Sequence, residues 1–224
     1  MTHSDPSGRI RELEADNARL RRLLETRNAP GELRHRVNST LAMLRVIIKK
    51  SAASARSMDS YIAHLDDRID ALARAQAFAD ERGGVDLHLL VTDELARYRT
   101  HEGEDFTITG VPIRLRARAG QVLGLAFHEL AVNAVEHGRL ASGHLDVRWQ
   151  LGDETPLPYL ALTWKERHDG IPDAAAPPGF GTEVITQTLP YELDAETNLV
   201  LEPDGLRCVM RIPFTERLGE LDVE

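Results

Sequence analysis

Arg82-Gly83-Gly84 separates two stretches of different hydrophobic period, and that change limits the folds open to this chain. Before it, apolar residues recur every three or four positions; after it, helical spacing alternates with short runs of strand-like pattern. The pattern predicts an α+β protein, with a purely helical leading module of residues 1–82 and a mixed helix-and-strand domain of residues 83–224.

The leading module reads as three helical pieces. From Arg9 to Arg27, Ile10, Leu13, Leu20 and Leu24 fall on a 3-4 spacing with Asn17 at the remaining inner position. That is the pattern of a short parallel coiled coil in which the polar residue favours one register, with an ordinary solvated helix as the alternative for so few heptads. Asn28-Ala29-Pro30-Gly31 interrupts it, so residues 1–30 form one segment and residues 31–82 the next. Leu33, Val37, Leu41, Leu44 and Ile48 then stripe a helix from Glu32 to about Ala53, and Met58, Ile62, Leu65, Ile69 and Leu72 stripe another from Met58 to about Phe78. Joined by a short Ser/Ala-rich turn, these make an antiparallel hairpin. One stripe cannot be buried within a single hairpin, so pairing of two copies into a four-helix bundle is the expected completion, and the expected state is a homodimer.

Beyond the double glycine the spacing predicts a helix at Leu87–Tyr98, strands at Phe106–Thr109 and Ile113–Arg116, and a long helix from Gly120 to His137 stopped by Gly138. Further strands are expected at Leu145–Gln150, Tyr159–Lys165, Asn198–Glu202 and Arg207–Pro213, with a helix near Thr182–Leu189. Helices and strands of these lengths suit a layered α/β sandwich.

Composition narrows the partners. A net charge of -9 over 224 residues argues against general binding to nucleic acid or an anionic membrane. The lone cysteine, Cys208, excludes an internal disulfide framework and sits in an apolar run that reads as core. The first residues lack the apolar centre of a signal peptide, and no segment approaches the roughly 20 apolar residues of a membrane span. The expected location is the cytoplasm.

Three groups could carry chemistry. In A-F-H-E-L-A-V-N-A-V-E-H-G, Glu129, Asn133 and His137 recur every fourth residue and share one helix face, with Leu125, Leu130 and Val132 as apolar neighbours. A carboxylate and an amide oxygen one turn apart suit a hydrated Mg²⁺ and its triphosphate, although a solvated polar stripe has the same spacing. Trp164-Lys165-Glu166 ends a strand and leads to Asp169-Gly170 and then Gly179-Phe180-Gly181 before a helix. A strand-end carboxylate can accept from an exocyclic amino group, and glycines before a helix let backbone N–H groups approach phosphates; a plain turn is the alternative. In E-L-R-H-R-V-N-S, His35 lies between Arg34 and Arg36. An exposed imidazole, with an ordinary pKa near about 6.5, is largely neutral at pH 7 and can attack phosphorus, while a guanidinium can hold phosphate oxygens.

Taken in order, E-L-R-H-R-V-N-S-T-L, H-E-L-A-V-N-A-V-E-H-G, W-K-E and G-F-G resemble the HWE subfamily of histidine kinases from about Glu32 to Phe214, with His128 and Trp164-Lys165-Glu166 as the specific marks. The resemblance implies a dimerising hairpin followed by a Bergerat (GHKL) type ATP-binding sandwich. It implies His35 as phosphoacceptor and Glu129 as a catalytic group that organises Mg²⁺-ATP with Asn133, the metal-side donor. Glu166 would stand at the adenine end, Gly179 and Gly181 would close over the phosphates, and His128, His137, Trp164 and Asp169 would line the nucleotide site. The implied reaction passes the ATP γ-phosphoryl to His35 and on to an aspartate of a response-regulator receiver domain. Glu136 stands where the family has Lys, and in its W-x-E-x-G-G-P run His168 and Asp169 replace the two glycines and Gly170 the proline. The charge at Glu136 opposes a triphosphate at 4 Å by about 1–4 kcal/mol between water-like and surface-like dielectric. A phosphotransfer protein or a non-catalytic dimeric adaptor, neither using ATP, is the alternative function.

Overall fold

Alternation along four long strands builds the sheet that supports the candidate site. In the computed structural model, residues 37, 40, 41, 43–49, 51, 57–82, 84–98, 100–136, 143–153, 157–168 and 179–222 are described. The coiled-coil segment 1–30 and the candidates His35, His137 and Asp169 lie outside the described residues. The chain divides into two compact units, Met1–Val46 and Ile47–Glu224, so the double glycine falls inside the second.

The second unit packs α3 (Ala117–Glu136) against one face of a five-stranded sheet, with α1 (Met58–Arg82) and α2 (Leu87–Ala96) packed on α3. The sheet runs β2 (Phe106–Gly110), β4 (His144–Gly152), β5 (Tyr159–Arg167), β7 (Gly205–Pro213) and β6 (Glu196–Glu202), with β2 parallel to β4 and the other neighbours antiparallel. A smaller antiparallel sheet joins β1 (Val85–Asp86), β3 (Ile113–Leu115) and β8 (Gly219–Leu221). Strands β1 and β8, of two and three residues, were not expected, being too short for a period of two to show.

Local chemistry fixes the ends. Asp86 caps α2 by accepting from the Leu89 N–H at 2.7 Å. The helix expected at Thr182–Leu189 runs in three pieces: α4 (Phe180–Glu183), a π turn (Val184–Thr188) and α5 (Leu189–Leu193), closed by Asp194 at φ 53°. Along β5, Leu160, Leu162, Trp164 and Glu166 point to the helices, and Trp164 stacks on Phe127 of α3 at 6.3 Å and 18°. Gly124 of α3 meets α1 and α2 closely: a Cβ there would lie 3.2 Å from the Ala75 Cβ and 3.4 Å from Leu90 Cδ1. That approach brings polar groups on all three helices within reach of one another.

The hairpin stripes need correction. Leu72 is buried as expected, but Val37, Leu41, Ile48, Met58 and Ile62 are exposed, and the buried line on α1 is Arg68, Ala71, Leu72 and Ala75. The shift follows from packing: the inner side of α1 is set by α3, against which it lies, with Ala75 at its close approach to Gly124 and Arg68 paired with Glu129.

Candidate functional site

Consecutive residues of α3, His128 and Glu129, turn to different neighbours. The His128 Nδ1 donates to Glu94 Oε1 of α2 at 2.8 Å, and the other Glu94 oxygen accepts from Arg74 Nη2 of α1 at 2.8 Å. Burial alone raises the Glu94 carboxyl, but the hydrogen bonds and charges of His128 and Arg74 outweigh it and hold it below the ordinary carboxylate range. The family-marking histidine is thus 3% exposed and engaged inside a three-helix ion network.

Glu129, 4% exposed, meets Arg68 of α1 in a forked bond: Nε to Oε1 at 2.7 Å and Nη2 to Oε2 at 3.1 Å. The remaining terminal nitrogen, Nη1, donates to Ser51 Oγ at 2.7 Å, and the guanidinium carbon lies 3.9 Å from the centroid of the Phe180 ring. Asn133, one turn beyond Glu129, is half-buried under the start of α4. A Cβ on Gly181 would come 3.1 Å from Asn133 Nδ2, 3.1 Å from Glu129 Cβ and 3.2 Å from Glu129 Oε2, so glycine lets the backbone lie directly on this face. Around Gly179 such a Cβ would meet nothing within 4 Å. Of the two expected glycines, only Gly181 is fixed by close approach.

On the sheet side Trp164 is fully buried and donates from Nε1 to Glu166 Oε1 at 3.0 Å. Glu166, 4% exposed, has its carboxyl pushed up to about 7 by burial, with the Trp164 hydrogen bond and the Lys165 charge only partly opposing this. Cys208, opposite Trp164 in the ladder, has its thiol pushed up to about 12 by burial and by the Glu166 charge, which makes it an inert core residue as expected. His168, next along the chain, is half-buried with its Nδ1 sealed and without a hydrogen-bond partner.

The structure therefore brings Glu129, Asn133 and Gly181 together and holds Trp164 with Glu166. His128 and Trp164 stand behind these surfaces rather than on them. Among the described residues, no group of three or more His, Cys, Asp or Glu is placed to hold a metal ion. A groove of about 560 Å³ lies elsewhere, on the opposite face of the sheet, between Thr163, Lys165, Arg167, Glu202 and Arg207. Arg68, Ser51, Glu94 and Phe180 were not singled out from sequence. Arg68 and Glu94 did carry a signal: Arg68 lies three residues after Leu65 and four before Leu72, and Glu94 follows Leu87, Leu90 and Val91, so each is a charge on an apolar helical line.

Comparison with known proteins adds the following. The model of the family described as HWE histidine kinase matches residues 32–112, which include His35 but neither α3 nor β5. A blue-light-activated histidine kinase 1 of Erythrobacter litoralis is 34% identical over 154 residues, covering 66% of this chain and 42% of that protein. A blue-light-activated histidine kinase of Rhizobium johnstonii is 31% identical over 210 residues, covering 91% of this chain and 56% of that protein. The chain thus spans about half the length of these relatives. Among solved structures, the histidine kinase domain of an Erythrobacter litoralis blue-light activated histidine kinase shares the fold, with a TM-score of 0.53 at 19% identity over 80% of this chain and 85% of that one.

Proposed function

We propose a phosphoryl-transfer function on the premise that this chain is an HWE-type histidine kinase, the resemblance that the family match and the relatives bear out. In this reading the ATP γ-phosphoryl passes to His35 and then to an aspartate on a response-regulator receiver domain. The observation that carries it is the seat at Gly181, where backbone lies against a carboxylate and an amide one helical turn apart. Those groups suit a magnesium triphosphate: Asn133 would hold the ion with a neutral oxygen, Glu129 would support it from one turn away, and Phe180–Gly181 would cover the phosphates. Bound magnesium supplies charge neutralisation along the triphosphate. Glu166 stands at the adenine end, where a carboxyl near its titration point at neutral pH can accept from or donate to a base edge. His128 and Trp164 shape these surfaces from behind. Gly179, His137 and Asp169 complete the set of nucleotide-lining residues that the family resemblance implies.

The chemical step is the attack of a neutral His35 ring nitrogen on phosphorus. Its lone pair forms the N–P bond while the bond to the β–γ bridging oxygen breaks, and the electrons leave with ADP. Little covalent work falls to the protein, so alignment and charge placement carry the rate. A homodimer suits the exposed Ile48, Met58 and Ile62, which a second hairpin would cover, with residues 1–30 as a coiled-coil handle. No helix among the described residues is long and apolar enough to cross a membrane, and a cytoplasmic site of action is part of the proposal.

Calorimetric titration with Mg-ATP tests the reading. The unaltered chain is expected to bind and Asn133→Ala to lose binding, while γ-labelled ATP leaves an acid-labile, alkali-stable label that His35→Ala abolishes. Absence of binding by the unaltered chain overturns the proposal.

A further inference from the structure

Closed over by Arg68 and Gly181, the Glu129 carboxylate takes its orientation from outside its own helix: both its oxygens are held by one guanidinium, and that guanidinium comes from α1, sixty-one residues earlier in the chain. Arg68 is itself buried, and each part of its fork has a job. Nε and Nη2 grip Glu129, Nη1 reaches Ser51, and the flat face carries the Phe180 ring. One side chain of the hairpin thus touches the carboxylate of α3 and the first residue of α4, whose neighbour Gly181 rests on Asn133. A lysine could supply the charge, but not two parallel bonds plus a planar surface for an aromatic ring.

We propose that Arg68 is a positioning residue for the phosphoryl transfer: it sets the direction of the Glu129 carboxylate and the seat of Phe180, so that the hairpin determines whether the nucleotide face is aligned. This rests on the kinase reading above. It differs from a general packing role because it concerns alignment of the transferred group more than affinity for the nucleotide. Misplacement of a reacting group by about 1 Å costs on the order of 100-fold in rate, whereas contacts to the adenine and the inner phosphates are unaffected.

The test uses the full chain and three proteins: unaltered, Arg68→Lys and Ser51→Ala. Arg68→Lys keeps a positive charge beside Glu129 and removes the fork, which separates alignment from folding. ADP affinity by calorimetry and the kcat and KM of self-phosphorylation are measured on each, with thermal unfolding as the control for folding. Arg68→Lys is expected to lower kcat by roughly 30- to 100-fold with the ADP Kd and the KM for ATP within about threefold. Ser51→Ala, which removes only the outer support of Nη1, is expected to lower kcat by about threefold in the same direction. An Arg68→Lys kcat equal to or above that of the unaltered chain, or an ADP affinity that falls in step with kcat, overturns the proposal and leaves the kinase reading standing. An unaltered chain that binds no nucleotide overturns both.

Discussion

Glu129 and Glu166 are equally hidden from water, yet the protein treats their charge in different ways. Glu129 on the helix side faces a guanidinium that bonds both of its oxygens. Glu166 on the sheet side has an indole N–H, and its carboxyl rises to about 7. A neutral donor satisfies one lone pair without repaying the cost of desolvating a charge, whereas a forked cation does both. The helix side thus holds its carboxylate against a cation, while the sheet side holds a carboxyl that burial brings near its titration point at neutral pH.

Replacement of the cation strikes this contrast hardest. Arg68→Met leaves a buried carboxylate uncompensated and is expected to destabilise the fold by about 3–5 kcal/mol in denaturant titrations, with Arg68→Met/Glu129→Gln recovering most of the loss. If the single variant costs less than about 1 kcal/mol, the two carboxylates are not handled differently. Glu166→Gln should do the reverse and stabilise. A carboxyl raised in the folded state is bound to its proton more tightly there than in the unfolded chain. The folded state is therefore unpenalised below the unfolded value of 4.5, loses stability as pH rises from there to about 7, and loses no more beyond. The rise from 4.5 to about 7 corresponds to roughly 3 kcal/mol, so the gain from Glu166→Gln is expected near that size at pH 8 and absent below about pH 4.5.

Gly181→Ala probes the helix side sterically. Its Cβ, 3.1 Å from Asn133 Nδ2, is expected to cost about 1 kcal/mol and to weaken Mg-ATP binding while leaving the Glu166 titration unchanged by carboxyl NMR. Lys165→Met gives the smallest effect. It removes a cation bonded to Glu202 and Asp204 on the outer face, so the loss should fade at high salt, and the Glu166 titration should move further upward.

Much of this was legible in the residues. The period change, the long helix carrying His128, Glu129 and Asn133, and all five strands of the larger sheet follow from patterns whose cause is local, and β2 was found to within one residue. The inner line of α1 was not, because a period marks several apolar columns and only the partner helix decides which is buried. Gly181 was recognisable as a glycine before a helix, but its distinction from Gly179 lies in what faces it. Likewise, nothing within the sequence joins Arg68 to Glu129 across sixty residues, although an arginine on an apolar column announced that some partner must exist.

The small sheet has a mechanical meaning for the hairpin. Strand β1 starts at Val85, three residues past the end of α1, and is clasped through β3 to the last strand, β8. Gly84 lies so close to β3 that a Cβ there would stand 2.9 Å from Leu115 O, so only glycine fits. The short strand into which α1 leads is therefore tied through β3 to the carboxyl-terminal strand, so the chain on either side of the sandwich converges on the segment that bears Arg68.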